Sequence, residues 1–302
     1  MNPFSPDQVE SINQMLLNCG EKATQMAEQP FQVFEKGVKD YVTNVDRLLD
    51  EILTAGFGQL FPDDGIISEE NVQSRQAFHA NHQRLWLIDP LDGTDDFIHH
   101  KPHYAVMVGL LQAGEPIAGW VYAPALGQLY YGGKDWGLFQ HIGEPVLQSG
   151  FFDRAIAHPQ PLIPIEPPSV SNEFCPMIIG DKDRRVYGEA IAQLIPGVQF
   201  RAIGSFGLKV MQVISGNAGL YLYLNRRVKL WDTVGPIALA KAAGLVCCDL
   251  NGQPLQFTAN AIEPDSLAHQ QPIIIGWASY VEALQPRLRQ AIHQIDPAWA
   301  IG

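Results

Sequence analysis

The stretch Trp86-Leu-Ile-Asp-Pro-Leu-Asp-Gly-Thr-Asp-Asp-Phe97 constrains this chain more than any other. Its apolar run, Leu85 to Ile88, reads as a strand, with Asp89 and Asp92 at its end and Gly93-Thr94 directly behind. A strand that ends in acid before a glycine turn collects carboxylates at an open sheet edge. Carboxylates held close repel one another unless a cation lies between them. Oxygen-only ligands select a hard cation, and Mg²⁺ is the first choice. A second acidic pair, Glu69-Glu70, ends another apolar run, Gly65 to Ser68. Trp231-Asp232-Thr233 opens a helical pattern with one more acid. A single Asp at such a place is ordinarily a turn former or a helix cap, as Thr94 also is for a turn starting at Asp95. The coincidence of three acidic segments argues for a metal site.

Composition limits the partners. The 302 residues suffice for one large domain or two smaller ones with ample core. With 46% hydrophobic and 17% charged residues, the chain is globular rather than disordered. A formal charge of −12 argues against nucleic acid or an anionic membrane as partner. It would also repel a small phosphorylated metabolite, so such a substrate requires bound divalent cations that invert the local field. Cys19, Cys175, Cys247 and Cys248 lack zinc or redox spacing and read as reduced core thiols, the last two on opposite faces of a strand. With no signal-peptide pattern and no apolar run of transmembrane length, a soluble cytoplasmic protein is expected.

Hydrophobic periodicity predicts helices from Pro6 and over Asn44 to Leu60, then strands at Gly65 to Ser68 and Leu85 to Ile88. A β-rich run follows over Ala105 to Leu111, Pro116 to Tyr122 and Gln128 to Tyr131. The proline cluster Pro159 to Pro168 is the best boundary. Beyond it, strands at Met177 to Ile179, Leu220 to Leu224, Leu245 to Asp249 and Ile273 to Ile275 alternate with helices. Those helices are Arg185 to Leu194, Leu208 to Ile214, Asp232 to Ala243 and Tyr280 to Ile292. The layout is α/β overall, an α+β half over 1–150 and an α/β half over 151–302. Trp120, Tyr122, Tyr130 and Tyr131 alternate in strands as core or subunit interface. His99, His100 and His103 lack the spacing of a helical zinc pair and read as lid or surface residues.

Asp89 and Asp92 are three apart, so the paired acids of aspartyl-phosphate phosphatases, which stand two apart, are excluded. An EF-hand loop fails for want of acids at alternate positions. In contrast, Ile67-Ser-Glu-Glu70, Asp89-Pro-Leu-Asp-Gly-Thr94 and Trp231-Asp-Thr233, with Val42-Thr-Asn-Val-Asp46 ahead of them, resemble the ordered signatures of the inositol monophosphatase superfamily. The likeness runs from about Lys39 to the final helix. It implies a layered αβαβα sandwich of the sugar-phosphatase type, with the site between the two halves, and commonly a homodimer. It implies Mg²⁺, two or three ions: Glu69, Asp89 and the Leu91 carbonyl hold the first, and Asp89, Asp92 and Asp232 the second. Thr94 then positions the attacking water with Asp46 assisting, Glu70 supports the metal–water network, and the Gly93 and Thr94 N–H groups receive phosphate. Attack by an activated water without a covalent intermediate, and lithium sensitivity, are further family expectations.

The ester itself is less legible. Gly204-Ser205-Phe-Gly-Leu-Lys209, Tyr122-Ala-Pro124 and Trp231-Asp-Thr233 resemble the 3′(2′),5′-bisphosphate nucleotidase branch, whereas Phe97-Ile-His99 with Pro102 is closer to the inositol branch. Asn225 stands where inositol phosphatases place a Glu, seven before the late Asp; it can hydrogen-bond substrate without charge. Lys182, Arg184 and Arg185 are candidates for a second phosphate or a solvated helix start, and Lys209 for a substrate contact or a surface cation. The reading leans to a 3′(2′),5′-bisphosphate nucleotide, with inositol 1-phosphate or fructose 1,6-bisphosphate as alternatives. A non-catalytic metal- or phosphate-binding protein, or a regulatory protein, is the alternative of another class.

Overall fold

The computed structural model describes residues 3–37, 40–80, 82–143 and 159–297. The chain opens on α1 (Pro6–Ala27), started by a capping box between Ser5 and Gln8 and by a proline in its first turn. An antiparallel hairpin, β1 (Val33–Gly37) and β2 (Asp40–Thr43), runs straight into α2 (Asn44–Leu60). The hairpin escapes periodicity because every β1 residue is exposed. A second capping box starts α2: Thr43 caps the helix and Asp46 reaches back to the Thr43 backbone N–H.

A seven-stranded sheet follows in strand order β3 (Gly65–Ser68), β4 (Arg84–Asp92), β5 (Ala105–Gln112), β6 (Glu115–Ala123), β7 (Gln128–Gly133), β8 (Gly137–Ile142) and β9 (Gln160–Pro161). Only β3 and β4 pair in parallel. The first acidic strand does not stop at Ile88. It runs on through Asp92, with a register slip between Asp89 and Asp92. In a regular strand, residues three apart face opposite sides of the sheet. The irregularity resets that alternation and lets both acids serve one pocket. A short helix, α3 (Thr94–Ile98), then turns the chain toward β5.

The second half supplies β10 (Cys175–Ile179), α4 (Asp181–Leu194), β11 (Val198–Arg201), α5 (Phe206–Ile214), β12 (Leu220–Tyr223), α6 (Leu230–Ala242), β13 (Val246–Cys248), β14 (Ile273–Gly276) and α7 (Ala278–Ile295). Its sheet, in order β11-β10-β12-β14-β13, is mixed: β11, β10 and β12 are parallel, and β14 is antiparallel to both neighbours. The helix expected from Arg185 starts at Asp181, because the charged first turns carry no apolar periodicity. The proline cluster is not a clean boundary, since Gln160 and Pro161 still pair with β8. The expected division at 150/151 lies outside the described residues.

Three apolar cores give an αβαβα order. Leu16 and Leu49 of α1 and α2 cover Trp86, Trp120, Tyr122 and Tyr131 on the outer face of the first sheet. Met211, Trp231 and Ile237 of α5 and α6 fill the space between sheets, with Leu87, Val121 and Tyr130 on one side and Tyr221 and Ile275 on the other. Ile191, Leu284 and Leu288 of α4 and α7 close the far face of the second sheet. The four aromatic residues of β6 and β7 are therefore buried core rather than an exposed interface. All four cysteines are free, with Cys247 toward the middle core and Cys248 toward the outer one. No described helix is long and apolar enough to cross a membrane.

Glycines bring α6 onto the first sheet. A Cβ built on Gly235 would lie 2.5 Å from the Val108 carbonyl oxygen and 3.4 Å from the Gly109 Cα. Gly109 and Gly119 on the sheet face the same turn of helix. Only paired glycines permit so close an approach.

Candidate active site

The middle layer sets one helix start against the bulged end of β4. Asp89 and Asp92 from β4 and Asp232 from α6 each place a carboxylate oxygen within 4.8 Å of the others. The three are held by backbone and hydroxyl donors. Leu91 N–H donates to Asp89 Oδ1 at 3.0 Å, and Lys229 N–H to Asp232 Oδ2 at 2.5 Å. Ser205 Oγ and Gly207 N–H donate to Asp92 Oδ2 at 2.6 and 3.1 Å. Ser205 has φ +35, a strained value for a side-chain-bearing residue, and its hydroxyl also receives Leu208 N–H at the start of α5.

Burial raises all three carboxyls, and nearby acids add to it. Asp89 is only 1% exposed and titrates well above its ordinary range, through burial first and then Glu69, Asp92 and Asp232. Asp232 is pushed up to about 8 by burial and then by Asp92 and Glu69. Asp92 is raised by burial, against the opposing pull of the Ser205 hydroxyl and Lys209. A dense, oxygen-only, mutually repelling donor set fits a hard divalent cation.

A second group adjoins it. The Thr94 hydroxyl lies 3.1 Å from Asp46 Oδ1 and 3.0 Å from the Leu91 carbonyl oxygen. Thr94 is the first residue of α3 rather than its cap; Gly93 takes the cap position at φ +91, where a Cβ would meet the His103 carbonyl oxygen at 2.8 Å. Asp46 is 2% exposed, and burial raises its carboxyl against the opposing Thr43 hydrogen bonds.

Glu69 and Glu70 sit at the end of β3 but turn to a residue that sequence reasoning missed. Lys36 Nζ of the hairpin lies 3.0 Å from Glu69 Oε1 and 2.6 Å from Glu70 Oε1. Glu70 rises to about 7 through burial and Glu69, offset by Lys36. An exposed lysine in an irregular hairpin carries no pattern that would single it out.

Two substrate candidates lie in settings that the sequence does not show. Lys209 is no surface cation: it lies half-buried with Nζ 5.8 Å over the Tyr221 ring. Burial lowers it, against the attraction of Asp92, Asp96, Asp232 and Asp183. Asn225 spends its Oδ1 on its own turn, accepting from Tyr223 Oη at 2.5 Å and Arg227 N–H at 3.2 Å. His99 lies beside Asp95 and His103 beside Asp96, and neither belongs to the three-acid group.

A five-layer fold that buries an acidic cluster beside a carboxylate-linked threonine defines a metal-dependent phosphatase, a phosphoric monoester hydrolase. The chain belongs to the inositol monophosphatase family, whose model matches residues 6–293. It is 30% identical to the 3′(2′),5′-bisphosphate nucleotidase CysQ of Escherichia coli K12 over 254 residues, 83% of this chain and 94% of that one. It is 29% identical to the histidinol-phosphatase of Chlorobaculum parvum over 248 residues, 80% of this chain and 86% of the other. Among solved structures, the Thermotoga maritima IMPase superposes with a TM-score of 0.72 at 22% identity, covering 96% of this chain and 99% of that one. This last likeness concerns the fold.

Proposed function

We propose that the chain is a magnesium-dependent 3′(2′),5′-bisphosphate nucleotidase in which both halves form one catalytic unit. The observation that carries the phosphatase chemistry is the convergence of Asp89, Asp92 and Asp232 beside the Thr94–Asp46 contact. Glu69, Asp89 and the Leu91 carbonyl would hold one magnesium ion, and Asp89, Asp92 and Asp232 a second. Magnesium held there would lower the pKa of a water nucleophile and offset charge on the departing alkoxide. Thr94, fixed between Asp46 and the Leu91 carbonyl, orients that water toward phosphorus. The buried Asp46 carboxylate, with its raised pKa, lies next in line to take up the proton through Thr94. Glu70 supports the surrounding water network, and the backbone N–H groups of Gly93 and Thr94 face the phosphoryl oxygens. Ser205 and Lys209 keep Asp92 in place and partly offset its charge.

The nucleotide reading draws on CysQ relatives at 28–31% identity. It also draws on Asn225, which stands uncharged where the inositol phosphatases place a Glu. Lys182, Arg184 and Arg185 are exposed at the start of α4, and Arg226 and Arg227 after β12. Because β10 and β12 are parallel, both groups leave the same edge of the second sheet. Cations there suit a second phosphate.

Phosphate release with Mg²⁺ from 3′-phosphoadenosine 5′-phosphate, inositol 1-phosphate, fructose 1,6-bisphosphate and histidinol phosphate tests this. The nucleotide should lead in kcat/KM by at least about tenfold, roughly 1.4 kcal/mol of discrimination. A preference for inositol or fructose phosphate removes the nucleotide reading. Release from none of them, with metal bound, favours a binding protein.

A further inference from the structure

His269 is 1% exposed, yet its ring enters the middle layer beside the helix that carries Asp232. Its Nε2 lies 2.8 Å from the Thr233 hydroxyl, its ring stands edge-on to Phe257 with centroids 5.2 Å apart, and Nδ1 has no hydrogen-bond partner among the described residues. Burial lowers its pKa to about 4, so the imidazole is neutral at ordinary pH. The Thr233 hydroxyl also lies 3.1 Å from the Lys229 carbonyl oxygen. It has one proton to give. Donating it to Lys229 while accepting from His269 Nε2–H serves every group except one imidazole lone pair. The reverse order would strand a buried Nδ1–H instead, which fixes the tautomer.

The main chain repeats the clamp. His269 N–H donates to the Val228 carbonyl at 3.0 Å, and the N–H of that same peptide, on Lys229, donates to Asp232 Oδ2 at 2.5 Å. The next peptide is gripped at both ends: its carbonyl, on Lys229, takes the Thr233 hydroxyl, and its N–H, on Leu230, donates to Leu267 O at 3.1 Å. The loop that carries His269 is anchored outward too. Pro264 O lies 3.1 Å from His79 Nε2, and Asp265 O receives Arg75 Nη1 at 3.3 Å. The segment thus ties the first half of the chain to the peptide that aims Asp232.

We infer that His269 is a positioning residue for Asp232, acting through Thr233 and the two peptides that flank Lys229. The inference rests on the reading of Asp232 as a metal ligand. Outer partners that orient a ligand in this way contribute about 10- to 100-fold in metal affinity or activity.

The test uses the full chain with His269→Leu, His269→Gln, Thr233→Val and the Leu/Val double variant. Magnesium affinity by calorimetry, melting in EDTA, and KM for Mg²⁺ against kcat are the readouts. His269→Leu and Thr233→Val should each weaken Mg²⁺ binding by about tenfold, appearing mainly in the KM for Mg²⁺. The double variant should be no worse than either single one, since both cut one hydrogen-bond chain. His269→Gln, which restores a donor near Nε2, should recover most of the affinity. Wild-type affinity in Thr233→Val, or in His269→Leu with only a lower melting temperature, would show a packing residue and overturn the inference. Equal losses for Gln and Leu would do the same. If His269→Leu fails to fold, Thr233→Val and His269→Gln still decide. A wild-type chain that binds Mg²⁺ but cleaves no ester removes the phosphatase reading, while calorimetry still judges His269. A chain that binds no Mg²⁺ overturns the inference along with it.

Discussion

Gly235 is the point at which a single methyl group should lower stability and catalysis together. It lies in α6, three residues after Asp232, against the strands β5 and β6 that flank the site. An added Cβ would stand 2.5 Å from the Val108 carbonyl oxygen, and ordinary contact begins at 3.4 Å. Gly235→Ala therefore has to move helix or strand by about 0.9 Å, the difference of those two distances. Two effects oppose each other. Alanine in a helix interior is favoured over glycine by roughly 0.5–1 kcal/mol. Overpacking costs about 1–3 kcal/mol, and a rigid main-chain oxygen places this site at the upper end. The clash wins by about 2 kcal/mol, which lowers the melting temperature by roughly 4 °C in a chain of this size. Magnesium demands near-ideal octahedral geometry, so the same displacement of Asp232 should weaken Mg²⁺ binding by at least tenfold, and a misplacement near 1 Å lowers turnover by about 100-fold. Gly58→Ala in α2 is the control, because the nearest neighbour to its Cβ is Ile66 Cδ1 at 3.8 Å. That variant should melt slightly higher with unchanged activity. Phosphate-release kinetics with a Mg²⁺ titration, beside melting curves in EDTA, measure both. Wild-type Mg²⁺ dependence and melting in Gly235→Ala would refute the claim that this glycine contact sets Asp232.

Three further outcomes follow from the charges. Asp232 titrates at about 8 in the fold, so it is largely protonated at pH 7; Mg²⁺ binding should release protons, seen as a binding enthalpy that varies with the ionisation enthalpy of the buffer, and a buffer-independent enthalpy would contradict this. Asp92→Asn should reduce turnover by at least about 100-fold yet raise the melting temperature in EDTA, because one member of a repelling cluster is gone; a lower melting temperature would mean that the Ser205 and Gly207 hydrogen bonds outweigh the repulsion. His269 has a folded pKa of about 4 against an ordinary 6.5, so the unfolded chain binds more protons between those values and stability falls as pH drops from 6.5 toward 4. The fall attributable to this group is about 3 kcal/mol, and denaturant titrations of His269→Gln across that range should lose it.

Legibility in the sequence followed apolar contrast. Strands β3 to β7 and helix α2 are strongly patterned, helix α6 is apolar on nearly all sides, and the acids that interrupt or end those runs stand out against them. The β1–β2 hairpin, β8 and β11 were invisible because their residues are exposed or mixed in burial. Lys36 was missed along with its hairpin. The irregularity at Asp89–Asp92 was hidden for another reason: local sequence predicts alternation, and only pairing with β5 shows where alternation breaks. Ser205, Lys209 and Asn225 belong to legible motifs, but their roles depend on which way each side chain turns. Lys209 turned inward over Tyr221, and Asn225 turned onto its own loop. His269 offered no signal, since its partner Thr233 lies 36 residues away across the fold.

The three central carboxylates are alike in sequence but not in setting. Asp92 receives a hydroxyl, a backbone N–H and the field of Lys209, all of which favour its charged form. Asp89 and Asp232 each receive one backbone N–H, and both are raised further by neighbouring acids. Environments that push equivalent groups apart assign them different work. Asp92 is the anchor whose charge the donors and Lys209 support, whereas neighbouring acids raise Asp89 and Asp232 further. The pH dependence of metal binding should then follow Asp89 and Asp232. Replacing Lys209 with Met withdraws a positive charge that attracts Asp92 first and Asp232 as well, and should move the half-saturation pH for Mg²⁺ upward. An unchanged half-saturation pH would mean that Lys209 serves substrate rather than Asp92.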